Sequence, residues 1–432
     1  GEIAIKTDKN FENFAGQIKA NKNDLGGDIL SSGNFSAESG GDINILALEL
    51  RNRIEKTWGN SKKGGYSVDD KIINNSSEFI IANNLTLASS KNNINIFGSN
   101  LLANGGINMI AKNNINIANV EDESYSLIEK HKKGFTAVKK SQDMERQINN
   151  ISSNLKSGNN ININSGSDTN IIASNLNVAN NVNILAGSYL DIATSTEIIN
   201  DEAVINILSA KDGNYKYRTV QKIGINLGLS NDGLTLTQMN RNESSENSLT
   251  QISSNINSSN GNINLISQDD LKIIASNIIA NSGDINIASS IGNIDILSAY
   301  NTNYIASDSF LAESNINLEI NSREIALTAG VNGNDSSTAT NAKTVVSSNI
   351  VGAKVNVASE VSSSFADSQN KRDKGNINIT SSNLESTRDA VSLNVFNDIN
   401  LLASSNLFEQ NNSSQDFSAH VKAGIGYNFK DV

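Results

Sequence analysis

Short apolar triplets with a polar centre recur along the whole chain. They run Ile43-Asn44-Ile45, Ile94-Asn95-Ile96, Ile107-Asn108-Met109, Ile115-Asn116-Ile117, Ile161-Asn162-Ile163, Val182-Asn183-Ile184 and Ile205-Asn206-Ile207. The theme continues through Ile263-Asn264-Leu265, Ile285-Asn286-Ile287, Ile294-Asp295-Ile296, Ile377-Asn378-Ile379 and Ile399-Asn400-Leu401. Strict alternation of apolar and polar residues predicts a strand with one buried face. Each predicted strand is too short to stand alone, so the strands must stack on one another.

Spacing says how they stack. Asn95 to Asn116 and Asn162 to Asn183 are each 21 residues; Asn264 to Asn286 and Asn378 to Asn400 are each 22. A period near 20 residues with two or three short strands in each is the arithmetic of a parallel β-helix. Each coil then lies about 4.8 Å above the last. Ile would stack on Ile inside, and Asn on Asn outside or at the bends, where amide ladders add hydrogen bonds. A second repeat, Ser99–Ala103 (SNLLA), returns at Ser174–Ala179, Ser276–Ala280 and Ser382–Ser386, so the rod is read in blocks of about two coils.

Between the blocks the pattern changes. Residues 46–77, 119–159, 208–261, 298–375 and 404–432 hold most of the Lys, Arg, Tyr and Glu. They carry a charged stretch and then a Gly-containing alternation, as in Lys132–Ser141, Lys222–Ser230, Asn349–Ser359 and Ala419–Phe429. Asn231-Asp232-Gly233 is a hairpin-turn signal. These intervals are expected to be β-hairpin excursions, and long excursions are where specific activity sits.

Composition fits this picture. The 432 residues are 37% apolar and 5% aromatic, thin for a large globular core, and about one in six is Asn, which disfavours helix. Pro is absent, as strands that need every N–H require. There is no Cys, so there is neither a disulfide framework nor a thiolate metal site. A net charge of −11 argues against non-specific nucleic-acid binding. No apolar run is long enough for a transmembrane helix, and the chain is read as a segment of something longer.

The coil motif GSNLLANGGINMIAKNNINIA, joined to intervals with Gly-rich alternations, resembles the haemagglutinin repeats of filamentous haemagglutinin and of contact-dependent inhibition exoproteins. The resemblance covers residues 28–432 and is closest to the distal repeat region. It implies a single elongated all-β segment: a right-handed parallel β-helix with antiparallel hairpin excursions, its hand following the general crossover preference. It also implies a non-enzymatic, secreted bacterial surface protein, either an adhesin or a contact-dependent toxin-delivery stalk. The implied partners are an outer-membrane β-barrel transporter of the two-partner secretion type and a target-cell receptor, glycan or outer membrane. The amino-terminal secretion domain and carboxy-terminal toxin module of that family are not seen in this sequence.

Candidate chemistry is sparse. His131 and His420 form no metal motif, and no GxSxG elbow or phosphate-cradling loop occurs. Carboxylates at Asp69-Asp70, Glu121–Glu123 and Asp269-Asp270 raise the alternative of a carbohydrate-active β-helix enzyme, but neighbours on a strand point to opposite faces. A purely structural spacer is a further alternative. No catalytic, cofactor or metal residue is expected. The candidate contact residues are Lys132, Lys133, Phe135, Tyr215, Tyr217, Ile425, Tyr427 and Phe429. The basic stretch Glu129–Lys140 suits anionic head groups. The final alternation has the dyad pattern of either a transmembrane β-strand or a soluble strand packed on one sheet.

Overall fold

The computed structural model describes residues 2–20, 33–191, 196–230, 233–320, 324–359 and 375–426. It is a parallel β-helix whose coils contribute one strand to each of three parallel sheets, two of ten strands and one of nine. The triplets are the rungs. Ile43, Ile94, Ile115, Thr169, Ile205, Leu271, Ile294, Ile377 and Ile399 stack in register on one inner column of the second sheet. Ile107, Ile161, Val182, Ile263, Ile285 and Val355 form the matching column of the first. All of these side chains except the polar Thr169 and the exposed Ile399 merge into one continuous, fully buried apolar core. Each contributes roughly 1.5–3 kcal/mol by leaving water.

The central Asn of each triplet faces outward, and its amide bonds to the coil below. Asn162, Asn183, Asn264, Asn286 and Asn356 form one such ladder above Asn108, with Nδ2 to Oδ1 distances of 2.7–2.8 Å. A second climbs from Asn44 through Asn95, Asn116 and Asn170 to Asn206. A third runs from Asn100 through Asn154, Asn175, Asn255 and Asn277 to Asn349. At a bend, the Oδ1 atoms of Asp42, Asn93 and Asn114 each accept the backbone N–H of the next coil at 3.0 Å. Asn is therefore abundant because one residue type serves both the flat rungs and the corners.

The corner between the second and third sheets exists in two forms that alternate coil by coil. In the tight form the chain turns at once, through positive φ at Ala15, Gly98, Ala173, Ala275 and Ser381 (43–56°). In the open form it leaves the rod as a long antiparallel hairpin and returns. The hairpins are Leu48–Gly59 with Lys63–Asn75, Val120–Lys133 with Ala137–Ile151, Ala210–Ser230 with Gly233–Ile252, and Ala299–Ile320 with Glu324–Val346. A final strand, Leu407–Gly426, leaves in the same way. Each open corner is closed by a serine just after the return. Ser77, Ser153, Ser254 and Ser348 donate to the carbonyls of Leu46, Ala118, Leu208 and Leu297 at 2.7–2.8 Å, bridging the base of each hairpin.

The nine long strands pair with one another into a single antiparallel sheet, in the order final strand, fourth, third, second, first hairpin. This fin does not fold back on the rod: its strands pair among themselves, and the side chains on both of its faces are mostly half-buried or exposed. The expected excursion limits need correction. Residues 119–159, 208–261 and 298–375 include Asn154–Ser157, Asn255–Ser258, Asn349–Gly352 and Val355–Ser359, which are rod strands. A separate short hairpin, Ser188–Asp191 with Thr196–Ile199, leaves at a different corner. Asn231 and Asp232 of the expected turn lie outside the described residues; the strands that flank them do pair antiparallel.

Ile117→Ala, which hollows the core column between Ile96 and Ile171, is expected to lower the unfolding free energy by about 2–5 kcal/mol. Ser254→Ala removes the hydroxyl that donates to the carbonyls of Leu208 and Ile171 (2.7 and 3.1 Å) and accepts the N–H of Ser174 (3.3 Å), and is expected to lower it by about 1–3 kcal/mol. Urea denaturation with an unchanged slope checks both.

Candidate functional site

Opposed residues of an antiparallel ladder share a face, so the register sorts every side chain of the fin. Tyr66, Tyr125, Tyr215, Tyr217, Tyr300 and Tyr304 all fall on one face, here the tyrosine face. Near the rod this face is polar and charged. One row crosses the sheet as Arg53, Asp70, Tyr125, Arg146, Tyr215, Asn247, Tyr304, Asn341 and Glu409. Asp70 is gripped by Arg51 through Nε (3.0 Å) and Nη2 (2.6 Å) and by Arg53 through Nη1 (3.2 Å). Hydrogen bonding from Arg51, and then from Arg53, holds the Asp70 carboxyl below the usual carboxylate range against the opposing effect of desolvation. Further out, Thr57, Tyr66, Glu129, His131, Lys140 and Gln142 line a groove of about 540 Å3.

Away from the rod the same face turns apolar. Successive rows read Ile223, Met239, Ala312, Gly333, Phe417; then Ile225, Thr237, Ser314, Val331, Ala419, in which Thr237 and Ser314 bond to each other; then Ile316, Ala329, Val421; then Leu318, Leu327, Ala423; then Ile325 and Ile425. Val421 is 74% exposed and Ile425 69%; Leu318, Leu327 and Val331 are also exposed. The reverse face at this level is polar, with Glu319 paired to Lys422 at 2.6 Å and Gln238 bonded to Glu313 at 2.7 Å. Contiguous exposed apolar surface of this kind marks an interaction site.

Glycines on the fin accept rings from the strand opposite. A Cβ on Gly333 would stand 2.1 Å from Phe417, on Gly330 2.0 Å from His420, and on Gly65 2.4 Å from Trp58. Each is a directly opposed pair, so the Gly-rich alternation provides seats for cross-strand aromatics.

The expected contact residues do not form one cluster. Lys133, Tyr215, Tyr217 and Ile425 are on the tyrosine face, while Lys132 is on the reverse. Phe135 projects from the tip of the second hairpin and is fully exposed. Tyr215 and Tyr217 are half-buried near the middle of the sheet. Tyr427 and Phe429 lie outside the described residues. Several of the carboxylates weighed for catalysis have structural duties, Asp70 among them. Asp122 accepts from the N–H of Asn74 (2.7 Å), Glu123 pairs with Arg146 (2.7 Å), and Asp270 accepts from the N–H of Asn293 (2.9 Å). Asp69 and Asp70 face opposite ways.

A three-sided parallel β-helix bearing an antiparallel fin defines an elongated solenoid with a presented sheet. Residues 70–138, 235–360 and 329–432 match the profile of the Hemagglutinin repeat family, and the chain belongs to that family. It is a segment of a filamentous-haemagglutinin-like adhesin; repeats of this family are generally non-enzymatic, and their proteins are typically secreted surface proteins. No curated protein and no solved structure matches the chain. Among the described residues no helix is long and apolar enough to cross a membrane, which says nothing of strands.

The Asp70 cluster ties the outer edge strand Leu48–Gly59 to the fin, and its sign is fixed. A depressed carboxyl stabilises the fold above the ordinary aspartate range, and that contribution is lost as pH falls through the depressed value. Protection of the amides of Leu48–Gly59, measured against their intrinsic exchange rates, is therefore expected to fall selectively below about pH 4. Asp70→Asn should show the lower protection already at pH 7.

Proposed function

We propose that the fin is the contact organ of a bacterial surface stalk, and that its outer half enters the outer membrane of a target cell. The observation that carries this is the one-sided apolar surface of the outer fin, with polar side chains on the reverse. Dyad alternation over roughly 9–11 residues is what a membrane-crossing β-strand needs. Beyond the level at which the second hairpin ends, where Ala137 faces Gly224, the fourth hairpin and the final strand continue for seven to eight residues and the third hairpin for five to six, so the fourth hairpin and the final strand come nearest to that length. The rod lifts the fin away from the cell that bears it, and a toxin carried by the same exoprotein would be delivered at the contact. Export through a two-partner secretion transporter belongs to the same reading.

Dye release from vesicles of outer-membrane lipids tests the proposal. The intact chain is expected to release dye. Leu327→Arg, placing a charge in the middle of the apolar rows at about 2–4 kcal/mol, is expected to reduce release at least tenfold, and Ile425→Asp to reduce it less. If the wild type releases nothing, or both variants match it, the outer fin does not enter lipid.

A further inference from the structure

The reverse face of the fin carries an arrangement that works against its own stability. Lys63 is directly opposite Lys132, Lys132 opposite Lys139, and Lys139 opposite Lys222. Four lysines from three hairpins thus stand in one straight row across four adjacent strands. The row spans about 15 Å at the usual inter-strand spacing. All four are exposed, and none has an ion-pair partner among the described residues. The row ends in Asn240, opposite Lys222. The flanking positions on this face hold Gly65, Lys130, Ser141 and Val220 on one side and Ala137 and Gly224 on the other, with no carboxylate. The acidic residues nearest the row on this face are engaged: Asp143, nearer the rod, is paired with Arg218 at 3.3 Å, and Glu313, two strands beyond Gly224, accepts from Gln238 at 2.7 Å.

Like charges opposed across a ladder are destabilising, and the backbone prevents relief. The turn of the first hairpin is fixed by Asn60, whose Oδ1 accepts the N–H groups of Lys62 and Lys63 at 2.9 and 3.1 Å. Its tip is bonded to the second hairpin through the N–H of Lys133 and the carbonyl of Lys62 (2.6 Å). The second tip is bonded to the third hairpin through the N–H of Ile225 and the carbonyl of Thr136 (2.6 Å). The strands therefore stay in register up to the row. In a protein of net charge −11, this is a local exception to an acidic surface.

We infer that the lysine row is a docking site for the phosphates of an anionic lipid surface, an inference that rests on the membrane reading above. Two features favour lipid over a soluble polyanion. Exposed aromatics flank the row: Phe135 at the adjacent tip, and Trp58, whose ring lies over Gly65. Aromatic rings of this kind settle at the head-group level. The row also sits where the first two hairpins end. From that level the longer strands run about eight to ten residues further, roughly 25–33 Å at 3.3 Å per residue. This is close to the ~25 Å apolar band of outer-membrane strands. Lysines at that level meet the head groups when the outer fin is immersed.

Co-sedimentation with phosphatidylcholine vesicles, with and without phosphatidylglycerol, tests the row. The wild type is expected to bind the anionic vesicles more tightly, with binding that weakens as salt rises. Lys132→Gln with Lys139→Gln is expected to lower that partition roughly 10–50-fold. The double variant should melt no lower than the wild type, because repulsion is relieved; this separates lost binding from misfolding. Lys71→Gln, on the same face nearer the rod, is expected to have little effect. Unchanged partition of the double variant overturns the inference. So does lost affinity for soluble polyphosphate with vesicle binding retained, which would assign the row to a free polyanion. Row-dependent binding without dye release would sink the immersion of the outer fin and leave the row standing; dye release indifferent to the row would do the reverse.

Discussion

One spacing governs the molecule: strands stack at about 4.8 Å whether they belong to a parallel coil or an antiparallel hairpin. A hairpin adds two strands to the fin, and two coils add two rungs to the rod. If every coil carried a hairpin, the fin would gain strands twice as fast as the rod gains rungs, and it would buckle. With one hairpin per three coils, gaps would open. Alternating open and tight corners keeps rod and fin in step over their shared length, so successive hairpins meet edge to edge and pair. The tight corners take the backbone strain, with Ala15, Ala173, Ala275 and Ser381 held at positive φ, a conformation that costs a non-Gly residue about 1–2 kcal/mol.

The constraint leaves hairpin length free, and the chain uses that freedom. Paired strands grow from 12 and 13 residues in the first hairpin to 22 and 23 in the fourth. The rod determines where each hairpin begins, and sequence alone determines how far it reaches. A stepped outer margin results, with short basic tips at one end and long apolar extensions at the other. The rod can bear so unequal a load because its corners are closed independently of hairpin length. The Ser clasp bridges the base in each case, whether about 30 residues intervene or about 50.

The coils were legible in the sequence because stacking in register forces equivalent residues to repeat: Ile94, Ile115 and Ile43 share a column and therefore a motif. The two-coil block was legible for the same reason, through the Ser that follows four of the five tight corners: Ser99, Ser174, Ser276 and Ser382. The ends of the excursions were not. Asn154–Ser157 and Asn255–Ser258 have one inward apolar residue each, Leu155 and Ile256, and follow directly on polar return strands. No periodicity separates them from a hairpin. The site was legible only in part. Lys132, Phe135 and Ile425 were recognisable as exposed chemistry, but a one-residue step decides the face, so Lys132 and Lys133 point apart. Nothing local joins Lys63, or Lys222 at the head of its Gly-containing alternation, to Lys132 and Lys139; only a register set by three separate hairpins does.

A single-layer sheet exposed on both sides has no core, so its stability comes from lateral pairing. Inside the fin, each strand finds its backbone partners on the neighbouring strands, and rings seated on Gly65, Gly330 and Gly333 add cross-strand contact. Lateral bonds of this kind survive transfer from water to lipid, where an unpaired backbone group costs several kcal/mol. The outer fin thus meets the main requirement for immersion along its interior strands. Its margins do not meet it. Beyond the lysine row, the outer part of Ala210–Ser230 loses its neighbour where the second hairpin ends, and among the described residues Leu407–Gly426 has a partner on one side only. A sheet with two open margins can lie against a membrane as it stands, but to enter the hydrocarbon it must first pair those margins, either with each other or with a further strand.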